Sequence, residues 1–400
     1  MTLERSLNAK YAAIQALFFM GICTLLSYAA VYLGAIGLSS SVIGVIMALG
    51  NLGATILQPV LAGFVDEKNL NVNHVVMASL AGVSVICVLM LLFTKVNAVV
   101  AVLYTLTMTF ACALTPLLNV MTFRFEQYGI QLSYGVARGI GSAAYALTSL
   151  IIGNILKVVA AEFVPLFMII AFVGLIPILN GFVVKDREIV NPQPAETEED
   201  SAEDSKINYI AFAKRYPKFM IFVAGTILIF FTHMLINNFF INFVTNVGGT
   251  TGDMGTALFL AAIVELPAMV VFDKFKEKID ISLLLKAAAV FYSIKHFLML
   301  IATNMILIDI SMLFQFLSYA FLVPASVYYA ARVIDKKDAT KGQALVTMGS
   351  TIGGIFASLF GGVLLDGVGV KMTLVIGVVI SIIGTLLVVL FSEKPVSETE

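Results

Sequence analysis

The chain is built from long apolar runs separated by short polar breaks. The runs fall at 11–33, 42–65, 74–94, 98–123, 132–156, 163–184, 217–244, 254–272, 281–303, 306–330, 342–365 and 371–391. Most reach roughly 20 residues or more, the length a helix needs to cross the hydrocarbon core of a bilayer. They are solid rather than short and alternating, which argues against the strands of a membrane barrel. The pattern therefore predicts an all-α integral membrane protein with about twelve spans.

One break is unlike the others. Residues 185–216 contain NPQPAETEEDSAEDSK, rich in Pro, Glu, Asp and Ser and without an apolar period. Such a stretch cannot bury enough surface to fold and reads as a flexible acidic tether. It divides the chain into an N-terminal six-helix bundle (1–184), a cytoplasmic linker (185–216) and a C-terminal six-helix bundle (217–400). The other connections are short, so consecutive helices are antiparallel neighbours.

The two halves repeat. At an offset of 208 residues Gly44 meets Gly252, Pro59 meets Pro267, Pro116 meets Pro324 and Arg124 meets Arg332. Gly141 meets Gly349, Ser142 meets Ser350 and Gly153 meets Gly361 at the same offset. Leu, Val and Ala coincide by chance in so apolar a chain. Gly and Pro do so less readily, because each marks a helix break or a close contact. Parallel repeats in membrane proteins place a substrate site between the halves, so the repeat points to transport.

Composition sharpens this reading. Charged residues make up 12% of the chain and mean hydropathy is +0.99. Soluble domains carry about twice that charge fraction. Net charge is −1, which says nothing about partners. The distribution of basic residues says more. Arg5, Lys10, Lys68 and Arg124 fall on one side, with the basic residues of 185–218, 274–286 and 332–341 and Lys394. Only Lys95, Lys157 and Lys371 fall in breaks on the other side. Cytoplasmic loops carry the excess of Lys and Arg, so both termini are expected in the cytoplasm and the protein in the cell membrane. The first run is too long for a cleaved signal and lacks a small-residue cleavage pattern. Cys23, Cys87 and Cys112 lie inside runs, with no metal-ligand spacing, and read as small packing residues. No phosphate loop, nucleophile pair or metal set appears, so neither an enzyme nor a cofactor is expected. The basic residues hug the membrane and form no nucleic-acid stripe.

Ionisable residues inside the runs need a reason, because burying them in hydrocarbon costs several kcal/mol. Glu265 lies roughly 15 Å, and His233 and Lys295 roughly 10 Å, below the outer face by helix rise. All three are expected to share one layer of the C-terminal half. For Glu265 and Lys295 two readings stand. One is a buried ion pair locking two helices. The other is a carboxylate that gains and loses a proton as its cation moves away, which is a proton-coupling device. Asn237 shares a helix face with His233. The two mark a wet cavity or a neutral His bonded to a carbonyl.

Arg138 lies roughly 10 Å from the inner face, within YGVARGIGSAAY, and Asn119 lies at a similar depth. The glycines permit close helix approach. The guanidinium fork suits a carboxylate or vicinal hydroxyls. Its alternatives are snorkelling to the interface or a pair with Glu126. Tyr145, two turns on, either stacks on a substrate ring or packs. Gln315, Ser318 and Tyr319 are further cavity candidates. Two loops look alike: Asp66-Glu67-Lys68 after Pro59, and Asp273-Lys274 followed by Lys276 after Pro267, each pairing an acid with a base. Each pair reads as a gating latch between helix ends or as ordinary loop charge.

Over nearly all of its length the chain resembles a major facilitator superfamily transporter. It is most similar to the branch holding lactose permease, other oligosaccharide–proton symporters and the phenylpropionate permease-like proteins. The resemblance is most specific at Tyr134-Gly135-Val136-Ala137-Arg138 and Gly141, against the family's Tyr/Phe-Gly-Arg-x-Arg-x-x-Gly. It implies a substrate contact at Arg138 and a ring-stacking aromatic at Tyr145. It also implies cavity residues at His233 and Gln315, the span 8 acid at Glu265, and Lys295 in place of the span 9 Arg. The span 4 acid is replaced by Asn119 and the span 10 His by Ser318, so lactose is not the expected substrate. Without an acid at 119, Arg138 is freer to meet an anionic solute; a neutral glycoside or nucleoside stays open. Proton coupling then falls to Glu265, with Lys295 and His233.

The expectation is a monomeric proton symporter for a small organic solute (sugar, nucleoside or aromatic acid) with the major facilitator fold. The rivals are a proton-driven exporter of apolar compounds and a membrane sensor that moves nothing.

Overall fold

A computed structural model describes residues 3–68, 70–122, 125, 130–183 and 209–393. The acidic cluster of the linker, Arg124, Glu126 and Lys394 lie outside the described residues. The chain divides into two compact units, Met1–Glu199 and Asp200–Glu400. Among the described residues there is no strand.

The first unit holds α1 (Leu3–Ser27), α2 (Ala29–Ala35), α3 (Ser40–Glu67), α4 (Val72–Leu92), α5 (Asn97–Ala113), α6 (Thr115–Val120), α7 (Tyr134–Ile155) and α8 (Val164–Asn180). Here α1 packs on α7 and α8, α3 on α5, and α4 on α5 and α8. Gly141 of α7 sits against α1. A Cβ there would lie 2.8 Å from the Phe19 ring and 3.3 Å from the Gln15 carbonyl oxygen. The small residue sets how closely the two helices pass.

The second unit holds α9 (Tyr209–Arg215), α10 (Pro217–Asn238), α11 (Phe240–Asn246), α12 (Thr251–Lys276), α13 (Ile281–Ile301), α14 (Met305–Leu313), α15 (Tyr319–Val333) and α16 (Ala339–Phe391). The last stretch of the expected linker is therefore helical. Phe212 of α9 is buried, with its ring tilted against Tyr216 and edge-on to Phe219, which gives this short helix an apolar anchor. Phe222, Tyr292, Phe321 and Tyr329 form the centre of the unit's core. α10 lies closely against α16: a Cβ on Gly384 would fall 2.6 Å from the Gly225 carbonyl oxygen, and one on Gly353 2.8 Å from that of Ile227.

Ten described helices are long and apolar enough to cross a membrane, or eleven when Phe240–Asn246 and Thr251–Ala268, bent by 120°, form one span. Reaching the twelve of the sequence expectation requires dividing α16. At about 1.5 Å per residue it far exceeds a hydrocarbon core of about 30 Å. It kinks at Gly369, whose φ of 77° lies in the region that glycine enters freely.

The duplication is visible in how helices start and break. Gly37 (φ 89°) and Gly248 (φ 81°) each stand two residues before an N-cap, Ser39 and Thr250. The side chains of Asn71 and Asp280 each accept from the backbone N–H two residues on, opening α4 and α13. The first span of each unit breaks near its end, at Tyr28 and at Phe239. The fourth span of each unit breaks as well, at Leu114 and over residues 314–318. Gly248 follows Gly37 by 211 residues and Pro267 follows Pro59 by 208, so three residues of length differ between these points.

Candidate functional site

The polar residues of the second unit gather where a helix breaks. α14 ends at Leu313, residues Phe314–Phe316 form one 3-10 turn, and α15 starts at Tyr319. A short 3-10 stretch inside a span often marks a functional hinge. Here it carries Gln315, whose side chain lies between two charges. The Lys295 ammonium donates to the Gln315 amide oxygen. The Gln315 amide nitrogen donates to Glu265 Oε1 at 2.8 Å. Lys295 is 2% exposed and Gln315 6%, while Glu265 is half-buried. Ser311 fixes the α13 backbone beneath Lys295 by donating to its carbonyl at 2.9 Å. A carboxylate and an ammonium are thus joined through one neutral amide that accepts from one and donates to the other.

His233 of α10 stands beside this group, buried at 2% exposure. Its Nε2 is 3.1 Å from the Asn237 amide nitrogen, so the two residues expected on one face do meet. Aromatic rings enclose the imidazole: Tyr292 at 5.3 Å, Tyr319 at 5.6 Å and Phe230 at 6.3 Å between centroids. Ser318 donates to the Phe314 carbonyl at 2.8 Å and so belongs to the helix break itself.

The first unit holds a second, separate group. Arg138 is half-buried on α7. Its Nη1 donates to Ser142 Oγ at 3.1 Å, and its guanidinium carbon lies 4.1 Å above the Phe19 ring of α1. Stacking on an aromatic face holds an Arg fork in one plane with its outer N–H groups directed outward. Among the described residues no carboxylate pairs with it. Tyr145, seven residues along α7, shares a hydrogen bond of 2.6 Å with Ser27 Oγ on α1. Asn119 is half-buried at the end of α6, and its carbonyl accepts from Thr122 at 3.2 Å. No hydrogen bond joins its side chain to Arg138 among the described residues.

The loop pairs are arranged differently from their expected form. Asp273 pairs with Lys276 at 2.6 Å, one helical turn on, and Lys274 enters no ion pair among the described residues. Neighbours on a helix surface are three or four apart, so the next residue points away. Lys276 also donates to the Tyr328 hydroxyl at 2.9 Å and lies 4.7 Å over that ring, which ties α12 to α15. The Asp273 carboxylate and the Tyr328 hydroxyl hold the Lys276 pKa above the ordinary lysine value. In the first unit Asp66 and Lys68 form no ion pair among the described residues. They are two apart at the helix end and face different ways.

Three participants were invisible in the sequence. Phe19 reads as one more apolar residue until its ring is seen under Arg138. Ser381 and Thr385, in the last apolar run, turn their hydroxyls onto α13, where His296 is fully buried. A His next to Lys295 was the one available signal.

The model of the MFS_1-like family matches residues 9–376. No curated protein sequence matches the chain. Among solved structures, it is similar to the nucleoside transporter NupG, with a TM-score of 0.73 and 15% identity over 98% of each chain. It is similar to a D-xylose-proton symporter, with a TM-score of 0.70 and 12% identity over 100% of each chain. A bacterial homologue of the iron transporter ferroportin gives a TM-score of 0.74 and 10% identity over 98% of this chain and 100% of that one. At these identities the likeness concerns the fold.

Proposed function

The chain belongs to the MFS_1-like family of membrane transporters, and from that premise we propose that it couples uptake of a small organic solute to proton entry. The solute class is a sugar, a nucleoside or an aromatic acid. The protein lies in the cell membrane with both termini in the cytoplasm, as its basic residues are distributed.

One observation carries the coupling: Gln315 joins Glu265 to Lys295 at a helix break. Alternating access requires two states with different proton affinity, since a ligand shifts an equilibrium only by its differential affinity. A 3-10 turn is a short, poorly bonded element. If it moves, Gln315 moves with it, and the carboxylate loses both the amide donor and its link to the cation. Glu265 then holds a proton in one state and releases it in the other. Each proton moving inward across the membrane releases about 2.3 kcal/mol per 100 mV. His233 and Asn237 offer a solute hydrogen-bonding groups within aromatic walls. Arg138, stacked on Phe19, offers a fork for a carboxylate or paired hydroxyls. A nucleoside transporter and a sugar–proton symporter among proteins of the same fold support this substrate range.

The test is uptake by purified protein in lipid vesicles, with an imposed pH gradient and a panel of labelled sugars, nucleosides and aromatic acids. Glu265→Gln keeps an acceptor for the Gln315 amide but cannot ionise. It is expected to retain substrate exchange and lose accumulation. Gradient-driven accumulation at the wild-type level in this variant would remove Glu265 from the coupling.

A further inference from the structure

Behind the cluster, α13 and α16 share a largely buried line of polar side chains that the transport reading does not use. Ala289, Ser293 and His296 lie on one face of α13, and Ser381 and Thr385 on one face of α16. His296 Nδ1 is 2.8 Å from Ser381 Oγ. Ser381 Oγ is 3.4 Å from Ser293 Oγ, which is 2.8 Å from Thr385 Oγ1. Thr385 donates to the Ala289 carbonyl at 2.9 Å. His296 is 0% exposed, and its Nε2 has no hydrogen-bond partner among the described residues.

Counting protons along this line assigns a tautomer to the ring. A carbonyl only accepts, so the single hydroxyl proton of Thr385 is committed to Ala289. Thr385 must then accept from Ser293, whose one proton is spent there. Ser293 in turn accepts from Ser381. Ser381 has no proton left for the ring, so His296 Nδ1 carries the N–H and donates it. This is the one assignment in which every contact in the line, the long Ser381–Ser293 contact of 3.4 Å included, is a hydrogen bond. It leaves a lone pair on Nε2, in a fully buried place where an unmade hydrogen bond costs about 1–3 kcal/mol.

We propose that His296 is a second proton-accepting site of this transporter, taking a proton at Nε2 while the Ser381–Ser293–Thr385 line holds Nδ1–H in place. The inference rests on the proton-coupled reading given above. The step is a simple protonation. The incoming proton bonds to the Nε2 lone pair, Nδ1–H is kept, and the imidazolium reverts when Nε2 releases the proton. The groups facing the ring define when this is permitted. From α13 they are Lys295 and Tyr292, whose ring is 5.5 Å away. From α10 there is His233, at 6.4 Å between centroids. Beyond Lys295 stand Gln315 and Glu265; α16 contributes only hydroxyls. An ionised Glu265 opposes the Lys295 charge and makes room for an imidazolium. Once Glu265 is itself protonated, Lys295 stands unopposed beside the ring. Glu265 and His296 therefore hold one proton between them, a coupled pair rather than two independent sites.

The chain has three histidines, so nitrogen-15 histidine spectra of the full-length protein in lipid discs can be assigned with single variants. His296 is expected to show a proton on Nδ1 and a bare Nε2 at the alkaline end, and both nitrogens protonated at the acidic end, of the pH range in which the protein stays folded. A proton on Nε2 in the neutral ring, or a ring unchanged across that range, would overturn the proposal. Ser381→Ala removes the acceptor for Nδ1–H and should release the neutral ring to the other tautomer; an unchanged tautomer counts against the line. In vesicles His296→Gln should lose pH-driven accumulation and keep substrate exchange. Equal loss of both would mean a structural role, and wild-type accumulation would mean no role. Wild-type protein that exchanges solute but ignores a pH gradient sinks the coupling reading and this one together. Sensitivity to Glu265→Gln with indifference to His296→Gln sinks this one alone.

Discussion

Replacing Gln315 with Leu removes the amide that joins Lys295 to Glu265, and the structure sets the expected cost. Both bonds run between a neutral amide and a full charge, and Lys295 is 2% exposed. Bonds of this type contribute about 1.5–3 kcal/mol each. Losing two gives roughly 3–6 kcal/mol, and direct contact between the two charges would offset part of it, so about 3 kcal/mol is the working figure. For a unit of about 200 residues this corresponds to roughly 6–12 °C in melting temperature. The assay is thermal unfolding of purified protein in detergent, with wild type measured beside it. A second variant separates lost bonding from a misfit of Leu at the 3-10 turn. Gln315→Leu combined with Lys295→Met and Glu265→Leu carries no charge to strand, and apolar replacement of buried ion groups is often neutral. It should recover most of the loss. A single variant melting within about 2 °C of wild type, or a triple variant no better than the single, would show that Gln315 does not join the charges.

Gly353→Ala places a Cβ 2.8 Å from the Ile227 carbonyl oxygen, and backbone on backbone leaves little room to adjust. A loss of about 1–3 kcal/mol is expected in the same melt, and unchanged melting would contradict the close approach of α10 and α16. Arg138→Ala should leave the melt near wild type and abolish solute binding by detergent-solubilised protein. Arg138→Lys keeps the charge but loses the planar stack on Phe19, so it should bind weakly. Wild-type affinity in the Ala variant would take Arg138 out of the site.

The spans could be read from sequence because lipid leaves no choice of structure. With no water to satisfy backbone groups, an apolar run of sufficient length must be helical. The duplication was legible for a related reason: Gly and Pro mark close approaches and breaks, and these recur in both units. The polar residues inside the runs were also conspicuous, since each is costly there. Their partners were not. His233 and Asn237 lie four apart on one helix, so their shared face was legible in the sequence. Lys295 with Gln315, Arg138 with Phe19 and His296 with Ser381 span different helices, and no local pattern links them. The loop bases show the same limit on a small scale. The sequence offers Asp273 two bases, Lys274 and Lys276, and helix geometry selected Lys276.

The amino-acid sequence by itself determined that this is a duplicated, all-helical membrane protein with a few buried charges. Those properties depend on composition and period along one dimension, which the bilayer converts directly into helices. Only the tertiary structure decided that Gln315 bridges Glu265 and Lys295, and that a hydroxyl line orders the ring of His296. Each relation depends on the rotation of a helix about its axis and on where that helix breaks. Both are set by close packing against neighbouring helices, such as the contact of Gly225 with Gly384, and a linear apolar pattern carries no record of them.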